Sequence, residues 1–363
     1  MDPFEYAHQR AKDIVWMSQN TNHLPSHPAV DEAIMGSVRD HEYNLYPHSK
    51  GVQGLPEAIL NDLHAPSGYH ALVTNGGIEA LYIMTRTLLK PGDTVVATDP
   101  SFLPIHDEIR MCGAIPKELN IYRPPWKLTP EWVNESIDGS TRMLLLIDPI
   151  NPLGTTYTKD EVRALCEIAE DRQLTVIDDL TYRDFNPNHV PAYQFLPDST
   201  VVAYSFSKSC GMAGMRLGAL VAPEKLMDKL KVYNTNVLSA NVLAQRAALA
   251  ALKTKPQWLD GMRKTVQRNQ EIIKSAVDKV NGTFIPVYPS CANMLVIDVG
   301  NTGVDPDKVQ EKMLYEHQVF VRSGKYVSKA YGARFVRVSF TVPEEGAQKF
   351  AKAFVQVMTE LTR

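Results

Sequence analysis

Short apolar runs alternate with longer stretches of helical period through the middle of the chain. Residues 71–74, 94–97, 143–147, 174–177 and 201–205 are dense in Val, Ile and Leu without polar alternation, which predicts strands buried on both faces. Residues 78–89, 103–112 and 159–171 repeat their apolar positions every three or four residues and predict the intervening helices. Strands spaced by helices point to an α/β fold with a largely parallel sheet covered on both faces. The punctuation agrees. Lys90-Pro91-Gly92-Asp93 stops one helix and turns the chain into a strand, and Thr158 with Glu161 forms a capping-box pattern that starts another.

The character changes after about residue 256. Residues 258–280 predict one long helix rich in Arg, Lys, Gln and Glu, followed by short strands (293–297, 335–339) and amphipathic helices (305–317, 344–359). That is an α+β pattern. The expected division is a large domain over 46–255 and a small one built from 1–45 plus 256–363, joined by the long helix. Residues 1–45 are too few for a domain and carry no obvious strand pattern, so they are expected to pack on one.

Composition narrows the function classes. Of 363 residues, 38 are Lys or Arg and 41 are Asp or Glu, for a net charge of −3. With no basic excess to neutralise phosphates, nucleic-acid binding is a poor expectation. The longest apolar run, 247–252, is far shorter than the roughly 20 residues that a spanning helix needs. Cys112, Cys166, Cys210 and Cys291 are scattered, and residues 1–19 show no basic-then-apolar leader pattern. A reduced, cytoplasmic setting is therefore expected. No metal site is expected.

Four segments carry chemistry. Ser205-Phe206-Ser207-Lys208 is followed by the glycine-rich Gly211 to Gly214 and then Arg216, placing a lysine just past a predicted strand. Ligands of open α/β sheets bind at such carboxyl ends. A lysine there can form a Schiff base if nearby cations and low polarity depress its pKa, while hydroxyls and Arg216 can hold a phosphate. A solvated surface loop is the bland reading of that segment taken alone. Asp178-Asp179-Leu180-Thr181-Tyr182 ends another strand with carboxylates that can keep a ring nitrogen protonated, or serve as turn or cap residues. Asp148-Pro149-Ile150-Asn151-Pro152-Leu153-Gly154 presents an amide on a proline-fixed turn. Asn75-Gly76-Gly77-Ile78 opens a helix whose free N–H groups suit an anion.

Taken together and in this order, the four segments resemble the class I/II aminotransferases, fold-type I enzymes dependent on pyridoxal 5′-phosphate. Further matches are Tyr46 ahead of Gly51, Pro100-Ser101-Phe102, and Phe335-Val336-Arg337-Val338-Ser339, so the likeness spans nearly the whole chain. The resemblance implies a large domain with a mostly parallel seven-stranded sheet plus a smaller α+β domain. It implies transfer of an amino group from an L-amino acid (aspartate, aromatic or other neutral) to a 2-oxo acid such as 2-oxoglutarate. It further implies that Lys208 carries the cofactor, that Asp179 pairs with the pyridinium nitrogen, and that Tyr182 and Asn151 bond the ring hydroxyl while Phe102 stacks on the ring. Gly76, Gly77, Ile78, Ser205, Ser207 and Arg216 are expected around the phosphate, with Tyr46 reaching it across a homodimer. Arg337, Asn151 and Asn22 are expected to hold the substrate, Asn22 as part of the segment Asn20 to His23 that folds over it.

The chain departs from the family pattern at Asp148 and Leu153, where the family has asparagine and threonine. At position 78 it has Ile where some bacterial aspartate aminotransferases carry a lysine facing an acidic side chain. That tilts the donor towards neutral or aromatic amino acids. A lyase or decarboxylase on the same scaffold is the alternative; a transcriptional regulator would need a basic winged-helix segment that 45 residues do not supply.

Overall fold

The computed structural model describes residues 2–234 and 236–363. A short helix, Pro3–Gln9, leads into a two-residue strand, β1 (Val15–Trp16). Seven strands then build the main sheet: β2 (Tyr69–Thr74), β3 (Thr94–Asp99), β4 (Ile115–Asn120), β5 (Thr141–Ile147), β6 (Thr175–Asp179), β7 (Thr200–Ser205) and β8 (Gly218–Pro223). Their spatial order is β2-β8-β7-β6-β5-β3-β4. Pairs from β4 through β7 are parallel, whereas β8 runs antiparallel to both β2 and β7. Helices Gly77–Leu88 and Leu103–Met111 pack their apolar stripes on one face, and Lys159–Asp171 covers the other. Thr158 and Glu161 close the expected capping box at the start of that last helix.

Two strands were not legible. In β4, Ile-Pro-Lys-Glu-Leu-Asn sits at the sheet edge, where no second neighbour demands apolar residues, and none of its residues is fully buried. β8 has only a short apolar stretch between Gly218 and Pro223 and follows directly on the glycine-rich turn.

The C-terminal part holds β9 (Met294–Asp298), β10 (Val319–Phe320), β11 (Arg322–Ser323) and β12 (Phe335–Ser339). The antiparallel order β11-β12-β9 is covered by helices Lys255–Val277 and Glu344–Leu361, whose apolar faces share one core with it. The long helix begins at Lys255, three positions before its expected start. The first 45 residues differ from expectation in two ways. β1 pairs in parallel with β10, a strand too short to leave a sequence signal. In addition, helix Pro28–Arg39 sends Val30 into the core of the large sheet beside Leu55 and Ala244, while Ala7 and Met17 pack in the C-terminal part. The segment is thus shared between the two halves rather than belonging wholly to the small one.

Candidate active site

A cleft opens at the carboxyl ends of the parallel strands, between the two halves of the chain. It is lined by Gly77, Ile78, Leu81, Phe102, Ile147, Asn151, Asp179, Thr181, Tyr182, Ser205, Ser207, Lys208 and Arg216. Ten of the expected positions are therefore brought to one place. β5, β6 and β7 each end there, followed respectively by the turn of Asn151, by Asp179 to Tyr182, and by Ser205 to Lys208.

The floor is a backbone cradle. Gly76 has φ +84°, and a side chain on it would run into the Arg216 guanidinium. Gly218 allows β8 to lie against the turn, because a Cβ there would stand 2.5 Å from the carbonyl carbon of Gly76 and the nitrogen of Gly77. Helix Gly77–Leu88 starts with no side-chain cap, which leaves its first N–H groups facing the cleft. Arg216 is fixed at its own base, donating from Nη1 to the Ala213 carbonyl at 2.7 Å. The Ser207 N–H donates to Ser205 Oγ at 3.2 Å. Hydroxyls, helix N–H groups and one guanidinium thus converge on a concavity suited to a phosphate.

Lys208 is partly exposed to the cleft and donates to the Gln19 carbonyl at 3.1 Å. Burial, with Arg337 and Arg216 nearby, lowers its pKa to about 7 against a partial opposing effect from Asp179. A cation is disfavoured among cations in low dielectric, so the amine is substantially neutral at physiological pH.

Strand alternation separates the two neighbouring aspartates. Asp178 turns away from the cleft and accepts from the Ala192 N–H at 2.8 Å; burial pushes its carboxyl up to about 7. Asp179 faces the cleft. One of its oxygens accepts from the Thr181 N–H at 3.0 Å and from Thr181 Oγ1 at 2.5 Å, and burial raises its pKa.

Arg337 is 5% exposed, and desolvation lowers its pKa to about 10. Nη1 donates to Asn151 Oδ1 at 3.0 Å and Nη2 to the Ser18 carbonyl at 2.6 Å, while Nε is buried with no partner among the described residues. A buried guanidinium held only by neutral acceptors is costly unless an anion completes it.

Tyr182 is buried, and its hydroxyl accepts from Asn20 Nδ2 at 3.0 Å. Burial pushes its pKa up to about 12, so it remains a phenol.

Two expected residues lie elsewhere. Asn22 does not line the cleft: Nδ2 donates to the Ser209 carbonyl at 2.8 Å and Oδ1 accepts from the Leu24 N–H at 2.9 Å. Each end of its amide already meets a main-chain group. Tyr46 is 82% exposed on the outer surface of this single chain. Three cleft groups went unnoticed in the sequence. Thr181 stands two residues after Asp179, a spacing that itself predicts the observed turn. Ser18 and Gln19 act through main-chain carbonyls, which leave no side-chain signal.

Comparison with known proteins gives a consistent result. The family described as aminotransferase class I and II matches residues 12–354. An aspartate aminotransferase of Pyrococcus horikoshii is 28% identical over 324 residues, covering 84% of this chain and 81% of its own length. A histidinol-phosphate aminotransferase of Haloarcula marismortui is 30% identical over 304 residues, covering 83% and 80%. Among solved structures, an aromatic aminotransferase of P. horikoshii superposes with a TM-score of 0.85 at 23% identity over 99% of each chain, which shows the fold.

Proposed function

The chain belongs to the class I and II aminotransferases, and from that premise we propose that it moves the amino group of a neutral or aromatic L-amino acid to a 2-oxo acid such as 2-oxoglutarate, using Lys208 as its central group. Members of the family depend on pyridoxal 5′-phosphate, and this chain is a transferase dependent on that cofactor. The residues present fit it: a turn in which Gly76 has φ +84° and a Cβ on Gly218 would meet backbone at 2.5 Å, an arginine against Gly76, and a buried carboxylate beside a lysine of lowered pKa. When bound, the cofactor supplies an electron sink for the charge left on the substrate Cα.

Each side chain then has a task. Gly76, Gly77, Ile78, Ser205, Ser207 and Arg216 hold the phosphate through N–H groups, hydroxyls and a guanidinium. Asp179, fixed by Thr181, accepts from the protonated ring nitrogen and keeps the proton there. Tyr182 and Asn151 orient the ring hydroxyl, and Phe102 covers one ring face. Arg337 takes the substrate α-carboxylate on the guanidinium edge that carries the unpartnered Nε. Lys208 Nζ, whose pKa is lowered to about 7 so that a neutral amine is available near neutral pH, takes the Cα proton and returns it.

The observation that carries this reading is the buried Arg337 guanidinium with no carboxylate partner among the described residues, a short distance from a lysine that is neutral at working pH. Ile78 brings no cation to the cleft to pair with an acidic side chain, which favours neutral or aromatic donors. The lyase or decarboxylase alternative is not favoured, since the matched relatives are named as aminotransferases. A panel of L-amino acids with 2-oxoglutarate tests the proposal. Glutamate formation fastest with aromatic or aliphatic donors is the expected outcome; ammonia release, or a strict preference for aspartate, contradicts it.

The same proposal includes a cytoplasmic homodimer, in which Tyr46 of the partner subunit reaches the phosphate. Exposed Met35, Leu45, Tyr46, Val232 and Val237 supply apolar surface for such an interface. Among the described residues no helix is long and apolar enough to cross a membrane.

A further inference from the structure

Lys208 and Tyr182 stand on separate turns, after β7 and β6, and no direct bond between their side chains fixes one relative to the other. Ser209, the residue after Lys208, and Asp184, two residues after Tyr182, supply a connection. Asp184, on the short turn Arg183–Phe185 that continues from Tyr182, accepts from Ser209 Oγ at 2.6 Å. Asp184 is itself clamped. Lys255 Nζ donates to its Oδ1 at 2.7 Å and to both oxygens of Asp62 at 2.7 and 3.0 Å. Arg183 also pairs with Asp62, and Tyr204 donates to Asp62 at 2.7 Å. Two carboxylates and two cations balance, and the neighbouring cations hold the Asp184 carboxyl well below its ordinary range.

Ser209 serves a second partner. Its carbonyl accepts from Asn22 Nδ2, which anchors the strap whose Gln19 carbonyl meets Lys208 Nζ and whose Ser18 carbonyl meets Arg337. Ser209 is 5% exposed, so both bonds are made in a largely desolvated setting.

We propose that Ser209 is a positioning residue: its hydroxyl braces the Lys208 turn to the Tyr182 turn through Asp184, and its carbonyl latches the Ser18–Asn22 strap over Lys208. Lys255 is the first residue of the long helix that joins the two halves. The brace therefore also ties the Lys208 turn to the element that relates one half of the molecule to the other. Stability alone does not call for this arrangement, since a buried cluster of four charges is weak evidence for a net gain. Misplacing a reacting group by about 1 Å can cost on the order of 100-fold in rate, which is the kind of loss the brace prevents.

The inference rests on the catalytic reading above, and the test separates the two. In the cofactor-loaded enzyme, Ser209→Ala is expected to lower kcat roughly tenfold with little change in KM, as misorientation of the reacting amine predicts. Asp184→Ala, which removes both the acceptor for Ser209 and the charge that Lys255 faces, should lose at least as much, and adding Ser209→Ala to it should cost nothing further, because the brace is already gone. In the cofactor-free chain, competitive labelling of Lys208 with acetic anhydride across pH, read by mass spectrometry, should show a midpoint near 7 in the parent. In Ser209→Ala the midpoint should move upward by about one unit as the freed ammonium finds water. If Ser209→Ala keeps kcat within twofold and leaves the labelling midpoint in place, the brace is refuted, as it is if the losses of the two single variants simply add. Should Asp184→Ala fail to fold, Ser209→Ala decides alone. A parent enzyme without transaminase activity removes the catalytic reading, while the labelling arm still judges the brace.

Discussion

The free amine of Lys208 is set by what surrounds it: low dielectric, Arg337 and Arg216 against Asp179. Its pKa falls from an ordinary 10.5 to about 7, so between those values the folded chain binds fewer protons than the unfolded one. Stability attributable to this site therefore rises with pH across that window, and the penalty for the charged form is complete below it. Lys208→Met removes the titration. In the cofactor-free chain, the Tm advantage of Lys208→Met over the parent should be greatest below pH 7 and shrink towards pH 10. Parallel Tm profiles would contradict the assignment. Residue identities were the most legible layer, because each motif is contiguous and sits at a strand end. The family resemblance singled out Asp179 over Asp178, and the pleat gives the physical reason, sending one to the cleft and the other to the Ala192 backbone. The surroundings of Asn22 were illegible for a related reason: sequence gives its amide but not the two backbone groups that it meets.

At the scale of elements, the phosphate cradle depends on two strands and a helix meeting closer than side chains permit. Gly218 pairs with Thr74 on β2 and with Ser205 on β7, pressed against Gly76 and Gly77. Gly218→Ala should cost about 1–3 kcal/mol, because the new methyl meets rigid backbone rather than a mobile side chain. It should also weaken retention of the cofactor, since the cradle must widen. Thermal melting and the rate of cofactor loss on dialysis check both; a variant with parental Tm and parental retention would show that the turn has slack. Parallel strands were legible because burial on both faces makes them apolar throughout. The edge strand β4, the antiparallel β8 and the two-residue β1 were not, since each is fixed by a partner distant in sequence rather than by its own pattern.

For the whole molecule, the cleft lies where the large sheet, the three-stranded sheet and the N-terminal strap converge, and Arg337 on β12 crosses that junction to reach Asn151 and Ser18. The proposed homodimer makes the active sites composite, with Tyr46, 82% exposed and outside the cleft of its own chain, serving the partner's site. Mixing Tyr46→Ala with Lys208→Ala, each expected to be impaired alone, should restore activity: with random pairing about a quarter of the sites regain both side chains. No recovery on mixing would place Tyr46 outside the site. The change in pattern after residue 256 coincides with the start of the long helix at Lys255, but which core each of the first 45 residues joins left no mark in the pattern. Val30 and Met17 are equally apolar in sequence, and only packing assigns them to different cores.

Reduction with borohydride after loading with pyridoxal 5′-phosphate, followed by peptide mass spectrometry, tests the central assignment most directly. One cofactor-sized adduct on Lys208, accompanied by loss of visible absorbance and of transamination, is predicted. An unmodified Lys208, or a stoichiometric adduct on another lysine with activity lost, would contradict the account at its base.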